Sequence, residues 1–466
     1  MATTLLPKSG GGRRRDPETL DGVAPLNLAK TSPRDWIGID STVADVDRIV
    51  TFLTEQGTFR FPSLPNGLFS AAAGEGDDFA LTGYANIWVR DNIHIAHAHW
   101  VIGDNAAAVK TVRAITDFYR KYQHRFTDII KGRADASEPM QRPHVRFRGD
   151  LTELPEKWSH AQNDALGYWL WLTSKLAIAG DLVLEREDVA VLVLLLKYWE
   201  TIEYWQDEDS GHWEETRKVS MSSIGVAVGG LEQFQRWLIS DAAKALLGGD
   251  KSALKLAHEL SLRGREVLMS ALPDECVQDD PAKQREYDAA LLFLHYPIDV
   301  LPVTPGGDAE IMILDHVRGN LQGEFGIRRY LGDSYWCADY KTLLKADERT
   351  ADFSDNLGAR DSLLKPGLEA QWCLFDPILS VIYGRRYQRT GNHDDRFMQR
   401  IRLQRSLSQL TTSESRFGAY RCPESYYCEA GKWVPNDITP LLWTQANLRL
   451  ALHFMRQTLA GGESES

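Results

Sequence analysis

The feature that most limits what this chain can fold into is the alternation of short and long connections between helical stripes. Apolar residues recur at helical spacing in one segment after another. Val43, Val46, Ile49, Val50 and Leu53 make one stripe, and Val109, Val112, Ile115 and Tyr119 another. Helical patterns run over about 93–102, 105–124, 158–176, 186–205, 219–246, 250–272, 286–296, 308–319, 368–389, 393–410 and 440–460. That is about twelve helices with almost no convincing strand. Connections such as Gly103-Asp104 and Gly180-Asp181 are tight, whereas 59–87, 132–157 and 320–367 are long and aperiodic. Antiparallel helix pairs closed into a ring produce this pattern. No repeat of fixed period is present, which excludes an α-solenoid. The expected fold is all-α, a toroid of six helix pairs whose long loops gather at one mouth and carry function.

Composition excludes several function classes. Lys+Arg 53 against Asp+Glu 65 gives a net charge of -12, so no basic field exists to neutralise a nucleic-acid backbone. The longest apolar run, 189–196, is too short to cross a bilayer, and the first residues lack the apolar stretch of a signal peptide. Five cysteines without regular spacing (Cys276, Cys337, Cys373, Cys422 and Cys428) imply no disulfide framework and a reducing compartment, so the cytoplasm is the expected location. Residues 1–35, rich in Gly, Pro and Arg, read as a flexible arm. Residues 36–460 read as one domain, and 461–466 as a disordered tail.

The stretch Asp209-Ser-Gly-His-Trp-Glu-Glu-Thr-Arg217 sits between two long helical patterns. Neighbouring side chains point in different directions, so Glu214 and Glu215 are not a redundant pair. One suits chemistry and the other a ligand contact. An apolar wall from Trp213, Trp205 and Tyr204 raises a carboxyl pKa and suits a general acid. The other loops hold a recurrent set: Trp88, Arg90 and Asp91; Trp158, Asn163 and Asp164; Arg328 to Tyr335; and Glu424 near tyrosines and Trp433. An aromatic beside a hydrogen-bonding group, repeated at one mouth, suits a polyhydroxylated ring. Glycoside hydrolysis needs two carboxyls, one protonating the leaving oxygen and one attacking or activating water. Glu214 and Glu424 fill those places only if a closed barrel brings them together, and a wide gap between them leaves room for water, hence inversion.

The pieces Trp88-Val-Arg-Asp91, Trp158-Ser-His-Ala-Gln-Asn-Asp164, Trp213-Glu-Glu215, Arg329-Tyr-Leu-Gly-Asp-Ser-Tyr335, Glu369-Ala-Gln-Trp372 and Pro423-Glu-Ser-Tyr426 occur in one order across about 80–450. In that order they resemble glucoamylase-type glycoside hydrolases of family fifteen, and also the N-terminal domains of phosphorylase kinase alpha and beta subunits. The resemblance implies an (α/α)6 barrel with Glu214 as general acid and Glu424 as the base that activates water. It implies that Glu215 contacts substrate and that Arg90 and Asp91 hold hydroxyls of a terminal glucose. Arg329 would be a further sugar ligand, and Trp158 and Trp372 would line the pocket. The implied activity is release of glucose from non-reducing ends of an α-glucan or small α-glucoside, with no cofactor and no metal. A glycan-sensing domain without turnover is the alternative drawn from the kinase subunits. An inverting phosphorylase would need a basic phosphate pocket where the sequence offers Glu424. His94, His97 and His99 cluster without a carboxylate at ligand spacing and read as core or pocket-edge residues. Cys422 and Cys428, flanking Glu424, read as reduced thiols rather than a redox clip.

Overall fold

The computed structural model of the protein describes residues 28–73, 83–301, 308–345, 348–349, 358, 362 and 365–463. Most of the arm expected over 1–35, and the end of the tail expected over 461–466, lie outside them. Within the described part of the arm, Pro33–Trp36 is a 3-10 turn with Trp36 buried.

Fifteen helices follow in chain order among the described residues: α1 (Val43–Glu55), α2 (Val89–Val101), α3 (Asn105–Lys121), α4 (His124–Ile130), α5 (Asn163–Ala179), α6 (Arg186–Thr201), α7 (Met221–Leu238), α8 (Asp241–Leu247), α9 (Ser252–Ala271), α10 (Leu292–His295), α11 (Asp308–His316), α12 (Tyr340–Leu343), α13 (Phe375–Thr390), α14 (His393–Ser408) and α15 (Leu442–Glu463). Packing closes α2, α5, α7, α10, α13 and α15 into an inner ring, each touching the next and α15 returning to α2. Outside it, α1, α3, α9 and α14 pack on that ring, α6 packs on α3, α4 and α9, and α11 packs on α10. This is the six-hairpin toroid expected from the connection lengths. Tight turns sit where polar caps end one helix and begin the next. Gly180 and Gly391 take left-handed backbone after α5 and α13, and Asp104 and Asn392 accept the first backbone amides of α3 and α14.

An inner helix is buried on every side, so its apolar pattern loses its period. Helix α5 is buried almost continuously from Asn163 to Ser174. It meets α7 at backbone distance: a Cβ on Gly167 would lie 2.9 Å from the Ala227 nitrogen, and one on Gly230 would lie 2.8 Å from the Gly167 carbonyl. No side chain stands between the helices to give way. Gly167→Ala is therefore expected to cost ~1–3 kcal/mol by overpacking, measured as a lower urea midpoint at unchanged slope.

Two small sheets are the few strands among the described residues. Ile87–Trp88 (β1) pairs with Arg146–Phe147 (β2), and Gln371–Trp372 (β3), Ser425–Glu429 (β4) and Lys432–Pro435 (β5) form a three-stranded antiparallel sheet. Strands of two to five residues carry too little alternation to show in a window. They also explain the late start of α13 at Phe375, because Gln371 and Trp372 are occupied as strand. The pattern over 219–246 is two helices, broken at Ile239 and Ser240, where Ser240 caps α8. That over 286–296 is a 3-10 turn followed by the single turn α10.

Candidate active site

The described parts of the long connections from outer to inner helices, 56–73 with 83–86, 131–162, 202–220, 322–345 with 365–374, and 409–441, bring residues from distant parts of the chain to one pocket. Its lining includes Tyr84, Trp88, Arg90, Asp91, Trp158, Trp213, Glu214, Arg329, Tyr335, Trp372, Glu424 and Trp443, around about 810 Å³ of non-atom space, the mouth included.

Glu214 is carried on a closed loop. Asp209 and Lys218 exchange backbone hydrogen bonds of 3.0 and 2.9 Å, Gly211–Trp213 makes a 3-10 turn, and Glu214 follows at φ 57°, ψ 46°. Left-handed backbone at a non-glycine residue stores strain and must be held by its surroundings. The side chain is held through one oxygen: Oε1 accepts from Trp88 Nε1 at 2.9 Å, Arg90 Nη2 at 3.3 Å and Gln162 Nε2 at 3.5 Å. Oε2 takes no hydrogen bond among the described residues. Burial raises the Glu214 pKa, against the lowering fields of Arg90 and Arg146.

Glu424 stands just before β4, and the hairpin β4–β5 returns Asn436 opposite it. Both carboxyl oxygens are engaged. Tyr84 donates its hydroxyl to Oε1 at 2.7 Å, and Asn436 donates Nδ2 to Oε2 at 2.6 Å. Tyr335 lies 3.0 Å from the Tyr84 hydroxyl. Burial pushes the Glu424 carboxyl up to about 7, while the two donors favour its ionised form. Asp91, also in the lining, is pushed up to about 7 by burial, with Arg90 opposing.

The remaining expected residues divide into two sets. Trp88, Arg90, Asp91, Trp158, Trp213, Arg329 and Trp372 all line the pocket. The Arg329 guanidinium is gripped by Asp333 through Nε at 2.6 Å and Nη2 at 2.7 Å and lies 4.8 Å from the Trp372 ring centre. The indole nitrogens of Trp158, Trp372 and Trp443 are buried without a partner among the described residues. Unpaired donors in a pocket wall are places for a ligand's acceptors.

Asn163, Asp164 and Glu215, expected to touch substrate, are by contrast not in the lining and are held by other residues. Asn163 donates to Asp207 at 2.9 Å and accepts from Trp199 at 3.2 Å. Asp164, fully buried, accepts from Arg90 Nη1 at 2.6 Å and so fixes the guanidinium that reaches Glu214. Glu215 pairs with Lys218 at 2.7 Å and with Arg285, which hold its carboxyl well below the usual range despite burial. Side-chain direction on an irregular loop cannot be read from spacing, which is why adjacent residues had to be separated by the coordinates.

Sequence reasoning missed Tyr84, Asn436, Arg285 and Asp288. Tyr84 and Asn436 stand in aperiodic sequence, and Arg285 and Asp288 in and beside the start of the 286–296 pattern, where only the folded chain gives them a place. His94 and His97 are buried in the core, His94 stacked on Trp443 at 4.4 Å and His97 5.0 Å from Trp171, whereas His99 is half-buried and lies 3.0 Å from Asp104. Cys422 is part of the main core, whereas Cys428 packs with Cys337 and Ala338, and all five cysteines are free thiols.

Residues 59–238 match the family model described as glycosyl hydrolases family 15. The chain is 24% identical over 404 residues to a probable phosphorylase b kinase regulatory subunit alpha of Caenorhabditis elegans, covering 77% of this chain and 30% of the subunit. It is 28% identical over 280 residues to an isomaltose glucohydrolase of Kribbella flavida, covering 57% of this chain and 66% of that enzyme. The chain thus spans less than a third of the kinase subunit's length and just under two thirds of the glucohydrolase's. Among solved structures, a glycosidase in complex with glucose superposes with TM-score 0.64 at 18% identity, over 90% of this chain and 100% of that one. The glucoamylase of Saccharomycopsis fibuligera gives 0.56 at 12% identity, over 92% and 99%. The fold is that of glucoamylase-type glycosidases. No helix among the described residues is long and apolar enough to cross a membrane.

Proposed function

We propose that this chain is an inverting, exo-acting glycoside hydrolase that releases glucose from the non-reducing ends of an α-glucan or a small α-glucoside. The observation that carries the reading is the placing of Glu214 and Glu424 in one pocket, Glu214 held through Oε1 alone among the described residues and Glu424 through both oxygens. Burial raises the Glu214 carboxyl and favours its protonated form, as an acid requires. Burial raises Glu424 as well, to about 7, while its two donors favour the carboxylate and fix it in place as a base. In the proposed cycle Glu214 protonates the leaving glycosidic oxygen while Glu424 takes a proton from a water attacking the anomeric carbon from the opposite face. Asp91, Arg329 and the unpaired indole nitrogens hold hydroxyls, and Trp88, Trp158, Trp213 and Trp372 form the apolar walls. Residues 36–460 form the catalytic unit, acting in the cytoplasm without cofactor or metal.

The test is incubation with isomaltose (the substrate in the name of one relative), maltooligosaccharides and trehalose, with the first-formed anomer of glucose followed by NMR. The glucose cleaved from the non-reducing end is expected to appear first as the β-anomer (with trehalose the leaving glucose appears as α beside it), and its first appearance as the α-anomer contradicts the roles of the two carboxyls. A second reading, a glycan-sensing domain without turnover, is favoured by the likeness to the kinase subunit over 77% of this chain. Binding of a glucan with no release of glucose is its expected result.

A pH dependence follows from Glu424. A base must be ionised, so kcat/KM should fall as pH drops through its pKa of about 7. In Asn436→Leu the carboxylate loses one donor, worth ~1.5–3 kcal/mol, and the proton is held more tightly. The acidic limb is expected to move up by about one pH unit or more. A limb that stays in place would show that Asn436 does not act on the base.

A further inference from the structure

Glu214 holds left-handed backbone, and the residues on both sides of it are anchored in one buried ionic cluster outside the pocket lining. On one side, Trp213 donates its indole N–H to Asp288 Oδ1 at 2.8 Å. On the other, Glu215 is gripped by Arg285, with Nη2 on Oε2 at 3.2 Å and Nη1 on Oε1. The same Nη1 reaches Asp288 Oδ2 at 3.3 Å. Arg285 therefore ties together the partners of both neighbours of the acid. Its own place is fixed: its guanidinium stacks 3.5 Å from the Tyr330 ring centre, and its backbone exchanges hydrogen bonds of 2.9 and 3.0 Å with Cys276.

We propose that Arg285 is a positioning residue for the general acid, aiming Glu214 at the leaving oxygen by clamping Trp213 and Glu215 through a single guanidinium. The assignment rests on the hydrolase reading given above. Arg285 touches neither substrate nor the Glu214 carboxyl in this arrangement; it acts on the peptide that carries it. A lysine has the charge but not the fork, and cannot hold two carboxylates in the same fixed geometry. Lys218, which also pairs with Glu215 at 2.7 Å, has no hydrogen bond or ion pair with Asp288 and does not substitute for it.

The distinguishing measurement compares two substrates that differ in their need for an acid. The leaving group of isomaltose is a sugar oxygen that needs a well-placed proton. The leaving group of α-glucosyl fluoride is fluoride ion, which needs little help. In Arg285→Gln, kcat on isomaltose is expected to fall on the order of 10²-fold, the lower end of what a general acid supplies. With α-glucosyl fluoride, kcat should fall less than about threefold, and KM for both should stay within about threefold. Equal losses on both substrates would mean that the pocket as a whole is distorted, and would overturn the assignment. An unchanged kcat on isomaltose would overturn it too. If Arg285→Gln does not fold by circular dichroism, Arg285→Lys carries the same comparison with a smaller but equally selective loss. Wild-type protein inactive on both substrates would overturn the hydrolase reading itself and the assignment with it, an outcome distinct from selective or general loss in the variant.

Discussion

Glu424→Gln is expected to lower kcat/KM on an α-glucoside by about 10²–10⁴-fold while leaving the protein folded. The substitution keeps the shape of the side chain and removes only its capacity to take a proton. Its surroundings tolerate the amide. Asn436 can still donate to the carbonyl oxygen, and the Tyr84 hydroxyl, now facing an N–H, accepts instead of donating. Glu214→Gln should give a loss of the same order on isomaltose, because the Oε1 contacts to Trp88, Arg90 and Gln162 survive and the amide nitrogen occupies the unbonded Oε2 position. The two variants separate on α-glucosyl fluoride. The acid variant should recover most of its activity there, and the base variant should not, since water must still be activated. Equal behaviour on that substrate, or full activity of either variant, would remove the two roles as assigned.

How much of this was legible before any coordinates depends on the kind of signal. The ring was legible because a helix stripe repeats over a dozen residues, and because tight turns such as Gly180-Asp181 alternate with long loops. The pocket's aromatic and carboxylate members were legible as clusters, such as Trp88-Val-Arg-Asp91. What failed was direction. Glu214 and Glu215 are adjacent, and nothing in their order says which one faces the pocket and which one meets Lys218 and Arg285. The places of Asp164 and Asn163 outside the lining were not legible either, since a motif residue that fixes another motif residue looks the same in sequence as one that touches a ligand. The short strands β3 to β5, which set Asn436 against Glu424, are too brief to leave a period.

Asp164→Asn is expected to damage both stability and the acid's titration, and the second effect tells a functional role from a structural one. Asp164 is fully buried and takes the Arg90 Nη1 proton at 2.6 Å, with Arg90 beside it lowering its pKa against burial. Removing the charge leaves Arg90, itself buried, with its ionic partner reduced to a neutral acceptor. Breaking such a pair costs ~3–5 kcal/mol when one partner is lost outright, and the asparagine should fall near the lower end. Arg90 also lies 3.3 Å from Glu214 and lowers its proton affinity. In the wild type the Asp164 charge offsets part of that field. Without it, the full positive charge acts on Glu214, the ionised form gains, and the pKa of the acid falls. An acid must be protonated to work, so the alkaline limb of kcat should shift to lower pH. The checks are a urea melt for the stability and a pH–rate profile on isomaltose for the limb. Lower stability with an unmoved alkaline limb would confine Asp164 to holding the fold and would disconnect it from the proton that Glu214 donates.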